Sequence, residues 1–413
     1  MTPRSADGID IFGPAYLEDP YPMYRTLREH SPVHRVPGTE FYLVSSWELV
    51  TEACARTEDF SSHLTATLVR QPDGRAATFD MDHGGQALHV LATADDPAHR
   101  THRRLVSSVL AKRIRDIGPV VGDLVDRLWS RELRDGRIDW ATAMADQLPL
   151  AVVAALIGLP AADVPQLLRW AYDSTEMLGG VVSEERLLPL LTSAAELTGY
   201  LHERLTEARA DAAQLDSGTD LLAVLGRACA TGTLTHEVAV LILVQLVGAG
   251  GESTAGLIAS AARILATDAA LQHRLREQPH LLGAFLEETL RLESPFRAHH
   301  RHVTRDTDLG GLSLPAGSHL LLLWGAANRD PAAHPDPDTF DLERGSARTQ
   351  LAFGKGAHFC LGSALAKVEA HAAIAALLER STGIALDPDR EPQWVPSLFV
   401  RRHRTLPLRI TAP

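Results

Sequence analysis

Cysteine is scarce in this chain. Its 413 residues include three, Cys54, Cys229 and Cys360, too few and too scattered for a disulfide framework and in keeping with a reducing cytosol. Residues 1–20, MTPRSADGIDIFGPAYLEDP, lack the apolar core of a signal peptide. The longest apolar run, residues 238–250, is interrupted by Gln245 and is too short to cross a bilayer, so no membrane anchor and a cytoplasmic location are expected. Positive charge is not in excess either: 40 basic against 52 acidic residues leave a net charge of −12. That balance argues against a nucleic-acid binder as a whole, although local basic patches remain open. The remainder is ordinary for a folded protein. With 45% hydrophobic and 22% charged residues there is ample material for a large core, and the length alone allows two or three domains.

The most informative stretch is LAFGKGAHFCLGSALAKVEAH, residues 351–371. It sets Cys360 among glycines at 354, 356 and 362, then runs into a helical pattern in which Leu361, Leu365, Val368 and Ala372 recur at three- and four-residue steps. A sulfur at a helix N-terminus meets unpaired N–H groups and the positive end of the dipole, which favour thiolate over thiol. Gly354 and Gly356 permit a tight turn with amides aimed at the sulfur. Gly362 lets the helix pass close to something flat and bulky. Such a thiolate is a metal ligand or a nucleophile.

Residues 353–362, FGKGAHFCLG, resemble the haem-ligand loop of the cytochromes P-450, the haem-thiolate monooxygenases, at Phe353, Gly354, Gly356, His358, Cys360 and Gly362. The resemblance implies haem b, iron protoporphyrin IX, held through Cys360 as the metal ligand. A thiolate axial ligand pushes electron density onto the iron and favours O–O cleavage.

The earlier part of the chain fits this family. Residues 1–15 are expected to be a flexible arm and 16–413 a single domain. A short helix is predicted within 19–36, a strand over 41–47 and a helix over 48–55. From 60 to 94 there is little periodicity, so a long functional loop is expected; in the family this region roofs the substrate pocket, which makes Leu64, Leu68, Phe79, Met81, Leu88 and Val90 candidates for its lining. A helix is predicted over 95–115, with His99 and Arg103 four apart on one face. The family sets this pair against a haem propionate. Arg100, Arg104, Lys112 and Arg113 would lie nearer the proximal surface, a basic dock for an acidic electron carrier. Amphipathic helices follow to residue 230, interrupted at Gly179-Gly180, where the resemblance implies a substrate-access lid.

A long apolar helix capped by Thr235 carries glycines at 248, 250 and 251, each costing about 1 kcal/mol relative to alanine. A kink or a close backbone approach is expected there. AGGES, residues 249–253, resembles the family's oxygen-activation motif, in which Ala249 faces the haem and Glu252 and an alcohol relay protons. The alcohol position holds Ser253 where the family has threonine. Serine keeps the hydroxyl without the β-branch that restricts χ1, and Thr254 lies about 100° further round. Gln245 shares the face of Ala249 and Ser253 and could bond either a polar group of the substrate or nearby backbone.

Further on, Glu288 and Arg291 match the family's buried charge pair, with Arg329 or Arg344 as third partner. Arg301 and His358 match haem-propionate contacts. His299, His300 and His302 could suggest a second metal site, but strand alternation sends 300 and 302 to one face and 299 to the other. Phe296 is a further pocket candidate, and residues 395–402 look like a final hairpin whose Leu398 and Phe399 close the pocket. The expected fold is mainly α with small β-sheets, the haem lying between a long kinked helix and the cysteine loop. The implied reaction inserts one atom of O2 into an apolar or amphipathic small molecule, with electrons from NAD(P)H through ferredoxin reductase and ferredoxin. FSSHLTAT, HVLATADDPAH and AGGEST resemble family 144 in particular. A haem-based sensor would need no relay such as Glu252-Ser253, a thiol hydrolase would want a better-placed histidine than His358, and a peroxide-driven variant would dispense with the acid–alcohol pair.

Overall fold

The computed structural model describes residues 9–82, 84–211 and 219–413. Its helices in chain order are α1 Pro14–Glu18, α2 Tyr21–His30, α3 Trp47–Ala55, α4 Ala98–Arg113, α5 Gly118–Glu132, α6 Gln147–Ile157, α7 Val164–Glu176, α8 Glu184–Ala210, α9 Leu221–Ala230, α10 His236–Thr267, α11 Ala269–Glu277, α12 Leu282–Leu292, the one-turn α13 Trp324–Ala327 and α14 Ser363–Glu379. Helix α10 is the axis of the helical part, packed against α6, α7, α8 and α14. It starts where Thr235 accepts a hydrogen bond from the Val238 amide, which satisfies one of the free N–H groups of its first turn.

A five-stranded sheet flanks the helices, in the order β1 Val33–Arg35, β2 Phe41–Val44, β10 His319–Leu323, β7 Ala298–Val303, β3 Phe60–Ser61. Smaller pairs are β4 Ala66–Arg70 with β5 Ala76–Asp80, β8 Thr307–Leu309 with β9 Leu312–Leu314, and β12 Gln393–Trp394 with β13 His403–Thr405. A three-stranded sheet joins β11 Gly383–Leu386, β14 Pro407–Thr411 and β6 Arg137–Asp139. The antiparallel β7–β10 register sets His299 against Leu322 and Arg301 against Leu320. These two residues are two apart, so they share one face of β7.

Two expectations change and a third is narrowed. Of the expected arm, residues 1–8 lie outside the described residues, and Ile11 and Phe12 are not free but buried with Tyr16 and Leu17. The stretch 60–94 is not one irregular loop. Residues 66–80 form a hairpin, β4–β5, turning through Gln71 to Arg75 with Gly74 at φ 87°. Finally, α10 runs unbroken through its glycines. A Cβ at Gly250 would come within 2.5 Å of Val153 on α6, and one at Gly256 within 2.8 Å of the Arg401 carbonyl. Of the kink or close approach expected, Gly250 shows the close approach, whereas a Cβ at Gly251 would meet nothing nearer than 3.5 Å. By length and composition α10 would cross a membrane, but 56% of its apolar window is buried among the other helices.

The pause at Gly179-Gly180 is a pinned turn between α7 and α8. The Gly180 carbonyl accepts from the Arg70 amide and the Gly179 carbonyl from the Leu398 amide. Gly180 has φ 72°, and a Cβ there would meet the Leu68 carbonyl at 2.5 Å.

Candidate active site around Cys360

The cysteine loop is built by local backbone bonds. Gly354 and Gly356 both adopt positive φ, 70° and 74°, conformations that a side chain would resist. They let the Gly354 amide donate to the Leu351 carbonyl and the Cys360 amide to the Phe353 carbonyl at 2.9 Å. Asn328 pins the start of the loop: its Oδ1 accepts from the Leu351 amide and its Nδ2 donates to Ser294 Oγ. Helix α14 then starts at Ser363, just past the cysteine.

Cys360 lines a large cavity between this loop and α10. Its exposed surface is the cavity wall rather than the outside of the molecule. Burial pushes the thiol up from its ordinary range, while the Gly362 and Ser363 amides and the Arg103 charge pull it back. Burial wins, so the amides and dipole alone do not hold a thiolate here as the loop sequence suggested; a metal cation would supply what is missing.

Across from Cys360 the cavity is roofed by Leu91, Ala92, Gln245, Ala249, Gly250 and Ser253. Gln245 Oε1 accepts from the Ala92 amide at 2.8 Å, tying the roof loop to α10. Its oxygen is therefore committed to backbone. Ser253 lines the cavity and its hydroxyl donates to the Ala249 carbonyl at 3.1 Å; Thr254 also lines it. Glu252 points elsewhere. It is 3% exposed, accepts from Arg402 Nε at 2.5 Å and from the Thr175 hydroxyl on α7. The guanidinium of Arg402 stacks over the Tyr172 ring, whose hydroxyl donates to Asp146 at 2.6 Å. Burial raises the Asp146 carboxyl to about 6. The acid and the alcohol thus face different ways round the helix.

At the cavity edge His99, Arg103, Arg301 and His358 come together as the sequence suggests. The His99 and His358 rings lie 4.0 Å apart, and burial together with the neighbouring His99 charge lowers His358 to about 4. Among the described residues Arg103 has no ion-pair partner, Arg301 donates only to the adjacent His300 carbonyl, and His358 Nδ1 is buried without a partner. Phe353 and Gly362 line the floor. A Cβ at Gly362 would meet nothing within 4 Å but the cysteine sulfur at 3.9 Å. These features fit haem: an open bed for a flat ring beside the sulfur, and unpaired cations where its two propionates would lie. The cavity holds about 1610 Å³ of empty space, solvent at its open mouth included.

Other assigned residues separate. Phe296 lines the cavity. Leu88 is 56% exposed and stands outside it, because the chain buries Val90 and Leu91 instead. Leu68 and Leu398 belong to the core beneath the hairpin. Phe399 packs behind Phe296, ring centroids 4.7 Å apart, rather than closing the pocket itself.

Glu288 and Arg291 form a bidentate pair, both bonds 2.7 Å, with both side chains fully buried. The third partner is Arg344, at 3.0 Å from Glu288; Arg329 instead pairs with Glu293 and Asp338. Among the described residues no group of three or more His, Cys, Asp or Glu is placed to hold a metal ion, and His300 and His302 turn toward Thr67 and Thr65. Sequence reasoning missed Glu369, a buried carboxyl on the cavity floor with no partner on either oxygen. Burial raises it well above the usual carboxylate range.

Comparison with known proteins agrees with this geometry. Residues 191–394 match the family model for Cytochrome P450. The chain is 47% identical to Cytochrome P450 144 of Mycobacterium tuberculosis over 98% of its own length and 92% of the relative's. It is 33% identical to Cytochrome P450 monooxygenase PikC of Streptomyces venezuelae, covering 97% and 93%. Among solved structures, CalO2 superposes with a TM-score of 0.85 at 28% identity, covering 98% and 99% of the two chains. A sulfur-floored cavity, its unpaired cations and 47% identity over nearly the whole chain thus converge, and the chain belongs to the cytochrome P450 family, the haem-thiolate monooxygenases whose cofactor is haem b.

Proposed function

We propose that this enzyme oxidises an apolar or amphipathic small molecule, by hydroxylation or a similar insertion of one oxygen atom, with electrons from NAD(P)H delivered by a ferredoxin reductase and a ferredoxin. Haem held by Cys360 supplies oxygen activation. The observation that carries the substrate class is the apolar lining of the cavity, to which Leu91, Val153, Leu156, Ile157, Leu246 and Leu257 contribute. Such a wall gains free energy from burying apolar area, roughly 25 cal/mol per Å², and offers few groups to read a polar substrate.

The chain's own residues supply protons and position. Ser253 presents the hydroxyl in the cavity. Glu252 is the acid behind it, and exchange of its Arg402 bond for one to Ser253 or a water would connect the two. Arg100, Arg104 and Lys112 are exposed on α4, a positive face suited to an acidic ferredoxin on an otherwise acidic protein. Three free cysteines suit the reducing cytoplasm as its location.

Reconstitution tests this reading. Haem-loaded protein is mixed with NADPH, a ferredoxin reductase and a ferredoxin, and screened against apolar compounds that shift its visible spectrum. Expected is substrate-dependent NADPH consumption with an oxygenated product, weakened by adding salt. Turnover with hydrogen peroxide alone, equal in rate and indifferent to Ser253→Ala, would contradict it.

A further inference from the structure

His299 is left over by this account, and its surroundings define what it can do. On β7 it shares a face with Arg301, and both line the cavity. The Trp324 indole N–H donates to His299 Nδ1 at 2.7 Å. An indole nitrogen can only donate, so Nδ1 must be the unprotonated nitrogen. The ring is neutral as well, because burial and the Arg301 charge lower it to about 3. Its one proton therefore sits on Nε2. The ring is held edge-on by Phe296, at 5.2 Å, and Phe399, at 5.6 Å. Among the described residues Nε2 has no protein acceptor.

The groups beside it are Arg301 and His358, with Arg103 and His99 at the same cavity edge; His99 faces Asp96 at 3.5 Å, and Asp95 acts on Arg301 and His358 only at longer range. Among the described residues the one carboxyl lining the cavity is Glu369, which burial pushes toward the neutral form. A fixed neutral donor placed among unpaired cations wants an anionic acceptor that the protein does not provide.

We propose that His299, locked by Trp324 into the Nε2–H tautomer, is a binding residue for a carboxylate in the cavity. That carboxylate is either a propionate of the haem or the acid group of an amphipathic substrate. The inference rests on the haem-enzyme reading above, and its two sources separate experimentally.

The test uses full-length haem-loaded protein with His299→Phe, which keeps an aromatic ring without a donor, His299→Gln, which keeps a donor, and Trp324→Phe, which frees the tautomer. Two quantities are read: the rate of haem transfer to excess apomyoglobin, and binding of dodecanoic acid relative to dodecanol. If the carboxylate is the propionate, His299→Phe loses haem roughly tenfold faster, as expected for one charge-assisted hydrogen bond. His299→Gln restores most of the wild-type rate, and Trp324→Phe falls between. If it is the substrate's, haem loss is unchanged and His299→Phe loses roughly tenfold in acid-over-alcohol preference, again rescued by glutamine. Unchanged haem loss together with unchanged preference overturns the proposal, as does a glutamine variant no better than phenylalanine. Wild-type protein that purifies without a Soret band refutes the haem reading instead; the acid-against-alcohol comparison, read by tryptophan fluorescence, then still decides His299.

Discussion

Two groups of polar and charged side chains, the Glu288 cluster and the cavity edge, differ in how they are partnered. In the Glu288 cluster every charge is answered. Arg291 grips both Glu288 oxygens and donates to the carbonyls of Asn328, Pro337 and Thr339, while Arg344 and the Asp341 amide complete Glu288. At the cavity edge, among the described residues, Arg103 and Arg301 make no ion pair, His299 Nε2 has no protein acceptor and His358 Nδ1 is buried without a partner. A saturated network holds structure; an unsaturated one of similar residues, open to a cavity, is a site. Partner accounting separates the two where residue type cannot, since buried polar groups normally find partners.

The largest expected effect breaks the saturated side. Glu288→Ala leaves two guanidinium groups buried without their anion and should cost about 3–5 kcal/mol of stability, seen by denaturant unfolding or as loss of folded protein. A cost under 1 kcal/mol would mean that the cluster is not the lock its geometry indicates.

Next comes Asp146, where saturation is partial. Its carboxyl is raised to about 6 by burial, against an ordinary value of 3.8, so the folded state favours the proton. Its stabilising contribution is complete below about pH 4 and is lost as pH rises through about 6. Asp146→Asn, which keeps an acceptor for Tyr172, should remove that dependence and raise stability at neutral pH by up to about 3 kcal/mol. Thermal unfolding between pH 4 and 8 measures it, and parallel profiles for the two proteins would contradict it.

These contrasts show what was legible in the sequence and why. The cysteine loop was, because its glycines, amides and sulfur lie within ten residues and act through local backbone. The helices around it followed from their apolar periodicity. Partners distant in sequence were not. Arg402 holds Glu252 from 150 residues away, and Trp324 sets the His299 tautomer from the end of another strand. The α10 glycines signalled a need for space, but only the crossing with α6 shows that Val153 claims it. The β4–β5 hairpin escaped notice because its two strands are five residues each and β5 is half-exposed, so little alternation marks it. Its Asp73-Gly74 turn was the available signal.

Smaller effects sharpen the comparison. Gln245→Ala removes one bond to the Ala92 amide and should cost about 1 kcal/mol, with faster hydrogen exchange confined to residues 91–93. Exchange spread along α10 would mean that Gln245 holds more than the roof. Arg103→Leu should change the stability of haem-free protein by under about 0.5 kcal/mol, because no protein anion is left unpaired, while speeding haem loss. A large loss of stability in the haem-free protein would show a partner the geometry does not contain.

The central claim is that Cys360 ligates haem iron as a thiolate, although without the metal its surroundings favour the thiol. The most direct measurement is the visible spectrum of dithionite-reduced protein under carbon monoxide, for wild type and Cys360→Ser. A strongly red-shifted Soret band in the wild type, lost in the variant, is the predicted result. A band of the imidazole-ligated kind in the wild type, or one that survives the substitution, would contradict it.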